Sequence, residues 1–178
     1  DRDILLSQRA STMRSHAGQP AFPGGAVDDG DADAAGAALR EAQEETGLDP
    51  AGVLVFGALP DLWVPVTNFV VTPVLGWWRE PSPVRAQDPA EVSSVHRVLI
   101  ADLVDPANRC RVRHPSGYIG PGFEVHGLLV WGFTAQVGGR QVRVTNSAWT
   151  KEDAERALGA RLLGIEASKP VTSGTTLG

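Results

Sequence analysis

Three glutamates spaced within one helical turn, Glu41, Glu44 and Glu45, are the residues of this chain whose type and spacing point to chemistry. At 100° per residue Glu41 and Glu45 lie about 40° apart around a helix, and Glu44 lies about 60° to the other side of Glu41, so the three carboxylates share a face. Like charges this close repel, and acidic groups near a helix C-terminus also oppose the helix dipole. A hard divalent cation offsets both costs. Mg²⁺ takes oxygen ligands, keeps part of its water shell and is often completed by substrate phosphates. A Glu-rich stretch by itself is more often a solvated face. This one is set apart by Gly24-Gly25 and an acidic turn, Asp28 to Asp33, ahead of it, by Arg40 directly before the first Glu, where it can pair with Glu44 at i,i+4, and by Gly47-Leu48 after the last.

The elements that would position these groups follow from periodicity. Ala34, Ala37, Ala38, Leu39 and Ala42 recur at helical spacing among charged residues, which predicts a helix over Asp33–Thr46 with Asp33 as cap and Gly47 as stop. Ile4-Leu5-Leu6 running into Ser7-Gln8-Arg9 reads as a strand entering a loop that lasts from Ala10 to Pro23. β-branched and aromatic runs over Val53–Phe56, Asn68–Leu75, Val92–Ile100 and Leu128–Thr134, separated by Pro and Gly, predict the strands of a mixed sheet. Thr150–Leu163 has the spacing of a second helix, and the polar end reads as disordered. The expected organisation is one domain over residues 1–165 and a tail over 166–178.

Composition sets the outer limits. A net charge of −5 argues against a surface built to wrap nucleic acid, no apolar run is long enough for a membrane helix, and a lone Cys110 cannot form an intramolecular disulfide. The expectation is a cytoplasmic protein acting on a small-molecule substrate, with no nucleic-acid or membrane partner; a homodimer is left open.

The segment from Gly24 to Leu48 resembles the Nudix box: a glycine, an acidic turn, then Arg40-Glu41-Ala42-Gln43-Glu44-Glu45-Thr46-Gly47 and an apolar residue. One extra residue separates Asp31 from Arg40 relative to the commonest box, and Asp31 or Asp33 stands where that box has Glu. Upstream, Leu5-Leu6-Ser7-Gln8-Arg9-Ala10, Arg14, His16-Ala17-Gly18-Gln19 and Phe22-Pro23-Gly24-Gly25 resemble the additional signature of the coenzyme A diphosphatase branch of that family, as do Pro65-Val66, Asp88 to Glu91 and Trp131 to Ala135. The likeness runs from Ile4 to Ala135 and stops there. It implies an α/β fold, an α/β/α sandwich with a mixed β-sheet, and a strand ahead of Leu5 that this chain does not contain. It also implies hydrolysis of the pyrophosphate of coenzyme A or an acyl-CoA to 3′,5′-ADP and 4′-phosphopantetheine, with Mg²⁺ or Mn²⁺ held by Glu41, Glu44 and Glu45, and Arg40 beside them as a further catalytic residue.

Substrate contacts are expected from Arg9, Arg14, His16, Gly24 and Gly25. Arg9, Arg14 and His16 fall in one short stretch suited to reading a phosphate, or to bracing the loop. Glu91 and Glu124 are the candidates for an additional acid, and spacing does not choose between them. Residues Ser116 to Phe123 read as an aromatic-bearing loop that covers substrate or simply turns the chain. Two rival readings stay in view: hydrolysis of another nucleoside diphosphate such as ADP-ribose or NADH, and a catalytically silent domain that senses a nucleotide.

Overall fold

A computed structural model describes residues 2–13, 16–64, 68–114, 117, 119–132 and 134–135, together with the backbone of 163–170. Its elements in chain order are β1 (Asp3–Arg9), β2 (Pro20–Ala21), β3 (Gly24–Ala26), α1 (Ala34–Thr46), β4 (Val53–Ala58), β5 (Leu62–Val64), β6 (Phe69–Trp78), β7 (Val92–Leu99), α2 (Ile100–Val104), β8 (Arg109–Arg113), β9 (Ile119–Val125), β10 (Leu128–Trp131) and β11 (Leu163–Pro170). They form a mixed α/β fold of three sheets, ordered β2-β1-β7, β10-β9-β8 and β3-β11-β6-β4, with β5 also paired to β6.

Helix α1 forms where the sequence places it. Asp33 caps it, its Oδ1 accepting the Gly36 N–H at 2.8 Å, and Gly47 ends it at φ 70°, its N–H returning to the Gln43 carbonyl at 2.8 Å. The left-handed backbone at the stop is the reason a glycine stands there. Ala37, Ala38 and Ala42 are fully buried, and such small side chains let the helix lie close to the strands beneath it. Beneath α1 a first core gathers Leu5, Leu48, Val74 and Trp78. Because side chains alternate along a strand, Ile4 and Leu6 of β1 point the opposite way, into a second core with Phe22, Val98, Val125, Leu128 and Val130. Strand β1 is thus buried on both faces, which fixes the end from which Ser7 and Arg9 project.

The strands Val53–Phe56, Asn68–Leu75 and Val92–Ile100 appear with shifted ends: β4 and β6 run longer, and β7 stops one residue early as Ile100 opens α2. Two expectations are corrected. Residues 119–123, read as loop, lie in β9, paired from Ile119↔Arg113 to Phe123↔Arg109. Gly120-Pro121-Gly122 looks like a turn, yet Gly122 is a close-approach glycine: a Cβ there would meet Val112 Cγ2 at 2.6 Å and Cys110 Sγ at 3.0 Å. Residues 166–170, expected in a disordered tail, belong to β11, which pairs in parallel with β3 and antiparallel with β6. Backbone groups on the facing edges of β3 and β6 need hydrogen-bond partners, and β11 supplies them. Of the expected helix over Thr150–Leu163, only Leu163 is described, at the start of β11; the rest, and residues 171–178, lie outside the described residues. Among the described residues no helix is long and apolar enough to cross a membrane.

Candidate active site

Arg40 organises the acidic loop. Its Nε and Nη2 donate to Asp31 (both 3.1 Å), Nη1 donates to Glu41 (3.0 Å) and Glu44 (2.9 Å), and Nη2 also donates to the Ala26 carbonyl (3.0 Å). A guanidinium has five N–H donors, and these five bonds use them all. All the Arg40 donors are therefore engaged within the protein. Asp31 is nearly buried beside it, and the guanidinium holds the Asp31 carboxyl below the usual carboxylate range, helped by the Asp28 N–H. The two acids left open by the sequence pattern thus divide the work: Asp31 binds Arg40, and Asp33 caps the helix.

Glu41 and Glu45 turn inward. The Glu41 carboxylate lies against the Gly25 backbone, so close that a Cβ on Gly25 would fall 2.3 Å from Oε1. Burial raises the Glu41 carboxyl above its ordinary value; Arg40 opposes the rise, and the charges of Glu44 and Asp28 add to it. Glu45 accepts the Ser7 hydroxyl at 3.1 Å. Its burial pushes the carboxyl up to about 7 against the pull of the Ser7 bond; the Glu41 charge adds to the rise, while Arg9 and the Gly24 N–H work against it. Glu44 is the exposed member, reached by Arg40 from the same side as Glu41. The three carboxylates are thus neighbours on one helix face but do not close around one point: among the described residues no group of three His, Cys, Asp or Glu side chains is gathered as a ready-made metal cage.

Arg9, at the end of β1, is a cation whose charge acts on Glu45, and its Nε is buried with no hydrogen-bond partner among the described residues. A buried guanidinium N–H left unpaired is costly, and an anionic oxygen arriving from outside relieves it. No spacing rule announces that feature; it arises from the depth of β1 in the fold. His16 has positive φ (56°) and its Nδ1 lies 3.0 Å from Gln19 Oε1, a bond inside the loop that fits bracing. Arg14 lies outside the described residues.

Glu91 and Glu124, indistinguishable by spacing, separate in space. The Glu91 carbonyl accepts the Ala10 N–H at 2.8 Å, beside the Arg9↔Val92 register pair, so Glu91 stands at the Arg9 end of β1. Glu124 is exposed on β9 opposite Leu129, on the face turned away from Phe123 and the core. The remaining histidines serve local contacts: His96 with Ser94 at 2.8 Å, His126 with Asp102 at 2.8 Å, and His114 stacked on Trp131.

A helix capped by an acidic turn, packed on a mixed sheet and carrying Arg-Glu-x-x-Glu-Glu against a glycine pair, is the arrangement of a Nudix domain, and residues 1–115 match the NUDIX domain family. The chain belongs to the Nudix family. It is similar to proteins named "Uncharacterized Nudix hydrolase NudL" from Cronobacter sakazakii (50% identity), Escherichia coli K12 (51%) and Shigella boydii serotype 4 (50%), each over 101 residues covering 57% of this chain and 52% of the relative. The chain spans about half the length of the curated relatives it matches. Nudix hydrolases act on pyrophosphate bonds of small molecules and generally use divalent metal ions.

Proposed function

We propose that this chain is a metal-dependent diphosphatase whose substrate is a nucleoside diphosphate of the coenzyme A class, coenzyme A itself or an acyl-CoA. The observation that carries the reading is the half-buried Glu41–Glu45 pair together with Arg9, whose charge acts on Glu45 and whose Nε has no hydrogen-bond partner among the described residues. Two acids raised by burial, with the charge of Glu41 adding to the rise of Glu45, and a cation acting on the same group are complementary to a divalent cation together with a phosphate.

The donor set is all oxygen, which suits Mg²⁺ or Mn²⁺. Glu41, Glu44 and Glu45 would hold the cation, whose chemistry is to neutralise phosphoryl oxygens and to acidify water for attack on phosphorus. The protein's own groups do the rest. Gly24 and Gly25 let the loop backbone approach the carboxylates; Arg40 holds the loop to the helix; Arg9 donates to a diphosphate oxygen; Ser7 holds the Glu45 carboxyl in place. The effect of Arg9 on Glu45 supports a contact with the scissile diphosphate over one with a more distant phosphate. The finer choice of coenzyme A over ADP-ribose or NADH is supported by the Leu5–Gln19 and Phe22–Gly25 signature, and a cytoplasmic setting by the single cysteine.

Hydrolysis in ¹⁸O-labelled water tests the reaction class. The label is expected in one phosphate of the products, with the coenzyme A thioester untouched when an acyl-CoA is supplied. Label in a carboxylic acid product, from cleavage of the thioester, would overturn the reading.

A further inference from the structure

Strands β1 and β7 pair without interruption from Asp3↔Leu99 to Gln8↔Ser94, and the next pair is Arg9↔Val92. Ser93 of β7 is the residue left over, so a bulge falls directly before Arg9. An extra residue in one strand breaks the ladder locally and re-aims the side chains beside it. Here a side chain mends the break: the Ser93 hydroxyl donates to the Gln8 carbonyl at 3.1 Å.

Gln8 makes two further bonds with its side chain. Residues alternate along β1, so Ser7 turns toward Glu45 of α1 while Gln8 projects from the opposite face, the one that Ile4 and Leu6 share with the second core. The Gln8 Oε1 accepts the Ser94 hydroxyl at 2.9 Å, and Nε2 donates to the Gly18 carbonyl at 3.1 Å. A carbonyl only accepts, so the nitrogen is the end that faces Gly18 and the orientation of the amide is settled by its neighbours. Ser94 gives its single hydroxyl hydrogen to Gln8, which makes His96 Nε2, 2.8 Å from the same oxygen, a donor. A chain of hydrogen bonds thus runs from His96 through Ser94 and Gln8 to the loop that follows β1.

Gly18 is the point at which this chain reaches Arg9. Its N–H donates to the Arg9 carbonyl at 3.1 Å, and the Arg9 N–H donates to the Gln19 carbonyl at 3.0 Å. Both backbone groups of Arg9 are therefore bound to the Gly18-Gln19 pair. The peptide plane between those two residues is held at each end: its carbonyl, that of Gly18, by Gln8, and its N–H, that of Gln19, by the His16 carbonyl at 3.1 Å. Gly18 has φ 70°, a backbone shape that a glycine adopts freely and that needs an anchor to persist. On the other side of Arg9 the ladder is broken by the bulge, so the Gly18-Gln19 peptide sets where the Arg9 side chain leaves the strand.

A polar residue at the rim of a core is often there only to satisfy its neighbours. The Ser94 bond alone would meet that need for Gln8. It leaves unexplained why the other end of the amide reaches across to one loop carbonyl whose residue holds Arg9.

We propose that Gln8 is a positioning residue for Arg9: from the face of β1 turned away from the carboxylates it grips the Gly18-Gln19 peptide, and so holds the backbone from which the Arg9 guanidinium reaches a diphosphate. The inference rests on the diphosphatase reading above, which gives Arg9 its ligand. It adds a residue that acts on that ligand only through Arg9.

The test is a double-mutant cycle, read by calorimetric titration of the full chain with ADP in the presence of Mg²⁺. Gln8→Ala and Gln8→Glu are each made in the wild-type and the Arg9→Gln backgrounds, beside Ser94→Ala, and each is titrated at a temperature where its melt shows it folded. Arg9→Gln is expected to weaken ADP by about tenfold or more. Gln8→Ala is expected to weaken it by about threefold or more when Arg9 is present, and to change it by less than about twofold when Arg9 is already Gln. Gln8→Glu keeps the length of the side chain and the Ser94 bond but has no donor for Gly18 when ionised, so it is expected to behave as Gln8→Ala does, and it closes the cycle if the alanine does not fold. Ser94→Ala, which leaves the Gly18 bond in place, is expected to lose less. Equal losses in the two Arg9 backgrounds, Gln8 variants that melt lower but bind ADP like wild type, or an Arg9→Gln variant that binds ADP like wild type would overturn the proposal. Binding is read without turnover, so the two readings fail separately: a chain that shows this coupling but cleaves no diphosphate contradicts the diphosphatase reading alone, and a chain that cleaves a diphosphate while Gln8 and Arg9 act independently contradicts the role of Gln8 alone.

Discussion

The Glu41 carboxylate occupies the space a side chain at Gly25 would need: a Cβ built there lies 2.3 Å from Oε1 and 2.5 Å from Cδ. The atoms in the way are the end of a flexible side chain, so the fold can absorb an alanine by turning Glu41 aside. Gly25→Ala is therefore expected to leave the melting temperature within a few degrees of wild type while lowering kcat by about 100-fold or more, because Glu41 no longer faces Glu45. Circular dichroism melts and steady-state kinetics on the same preparation check it; unchanged turnover would remove Glu41 from the site.

Arg40 and Asp31 make a second, structural relationship. Arg40 joins the Ala26 carbonyl, Asp31, Glu41 and Glu44, tying the loop to the helix through one guanidinium. Arg40→Lys keeps the charge but not the planar fork, so it cannot make these five bonds. The expected result is a fall in Tm of about 3–5 °C together with reduced turnover, with KM for substrate altered less than kcat. A variant that melts like wild type but binds substrate poorly would mean that Arg40 touches substrate after all.

The buried carboxyls give a pH dependence with a definite sign. Glu45 moves from 4.5 in an open chain to about 7 in the fold, and Glu41 moves in the same direction. A carboxyl raised by folding favours the folded state while it is protonated, so this contribution is fully present below pH 4.5 and is lost as pH rises through about 7. The metal-free protein is expected to lose up to about 3 kcal/mol of stability from Glu45 over that window. Excess Mg²⁺ or Mn²⁺ is expected to restore more of it at pH 8 than at pH 6, since the cation binds the ionised acids. Urea unfolding at a series of pH values, with and without metal, reads both. Glu45→Gln is expected to flatten the slope, and a slope of opposite sign would contradict the buried-carboxyl account.

The helix and its acids were legible in the sequence because their signals are local: the spacing of alanines, the Asp33 cap, the Gly47 stop and the Arg40–Glu44 pair all fall within fifteen residues. The burial of Glu45 was not, since it depends on Ser7, 38 residues away, and on the depth of β1. Strand β9 was hidden for the same reason. Gly120-Pro121-Gly122 has the local character of a turn, and only the approach of Cys110 and Val112 from β8 shows why a glycine belongs in that strand. Strand β11 pairs with β3 and β6 across more than 85 residues, and its own polar sequence carries little sign of burial. Glu91 and Glu124 could be told apart only when register placed one beside Arg9 and the other on an exposed sheet face.

The Glu41–Glu45 face is proposed to hold a divalent cation for cleavage of a coenzyme A-type diphosphate. The most direct measurement is turnover of purified protein on coenzyme A, an acyl-CoA, ADP-ribose and NADH, with Mg²⁺, Mn²⁺ or chelator, beside a folded Glu45→Gln variant. Cleavage of coenzyme A or the acyl-CoA to 3′,5′-ADP is expected in preference to the other two, abolished by chelator and reduced by about 1,000-fold or more in the variant. Metal-independent cleavage, or near wild-type rates from folded Glu45→Gln, would contradict it.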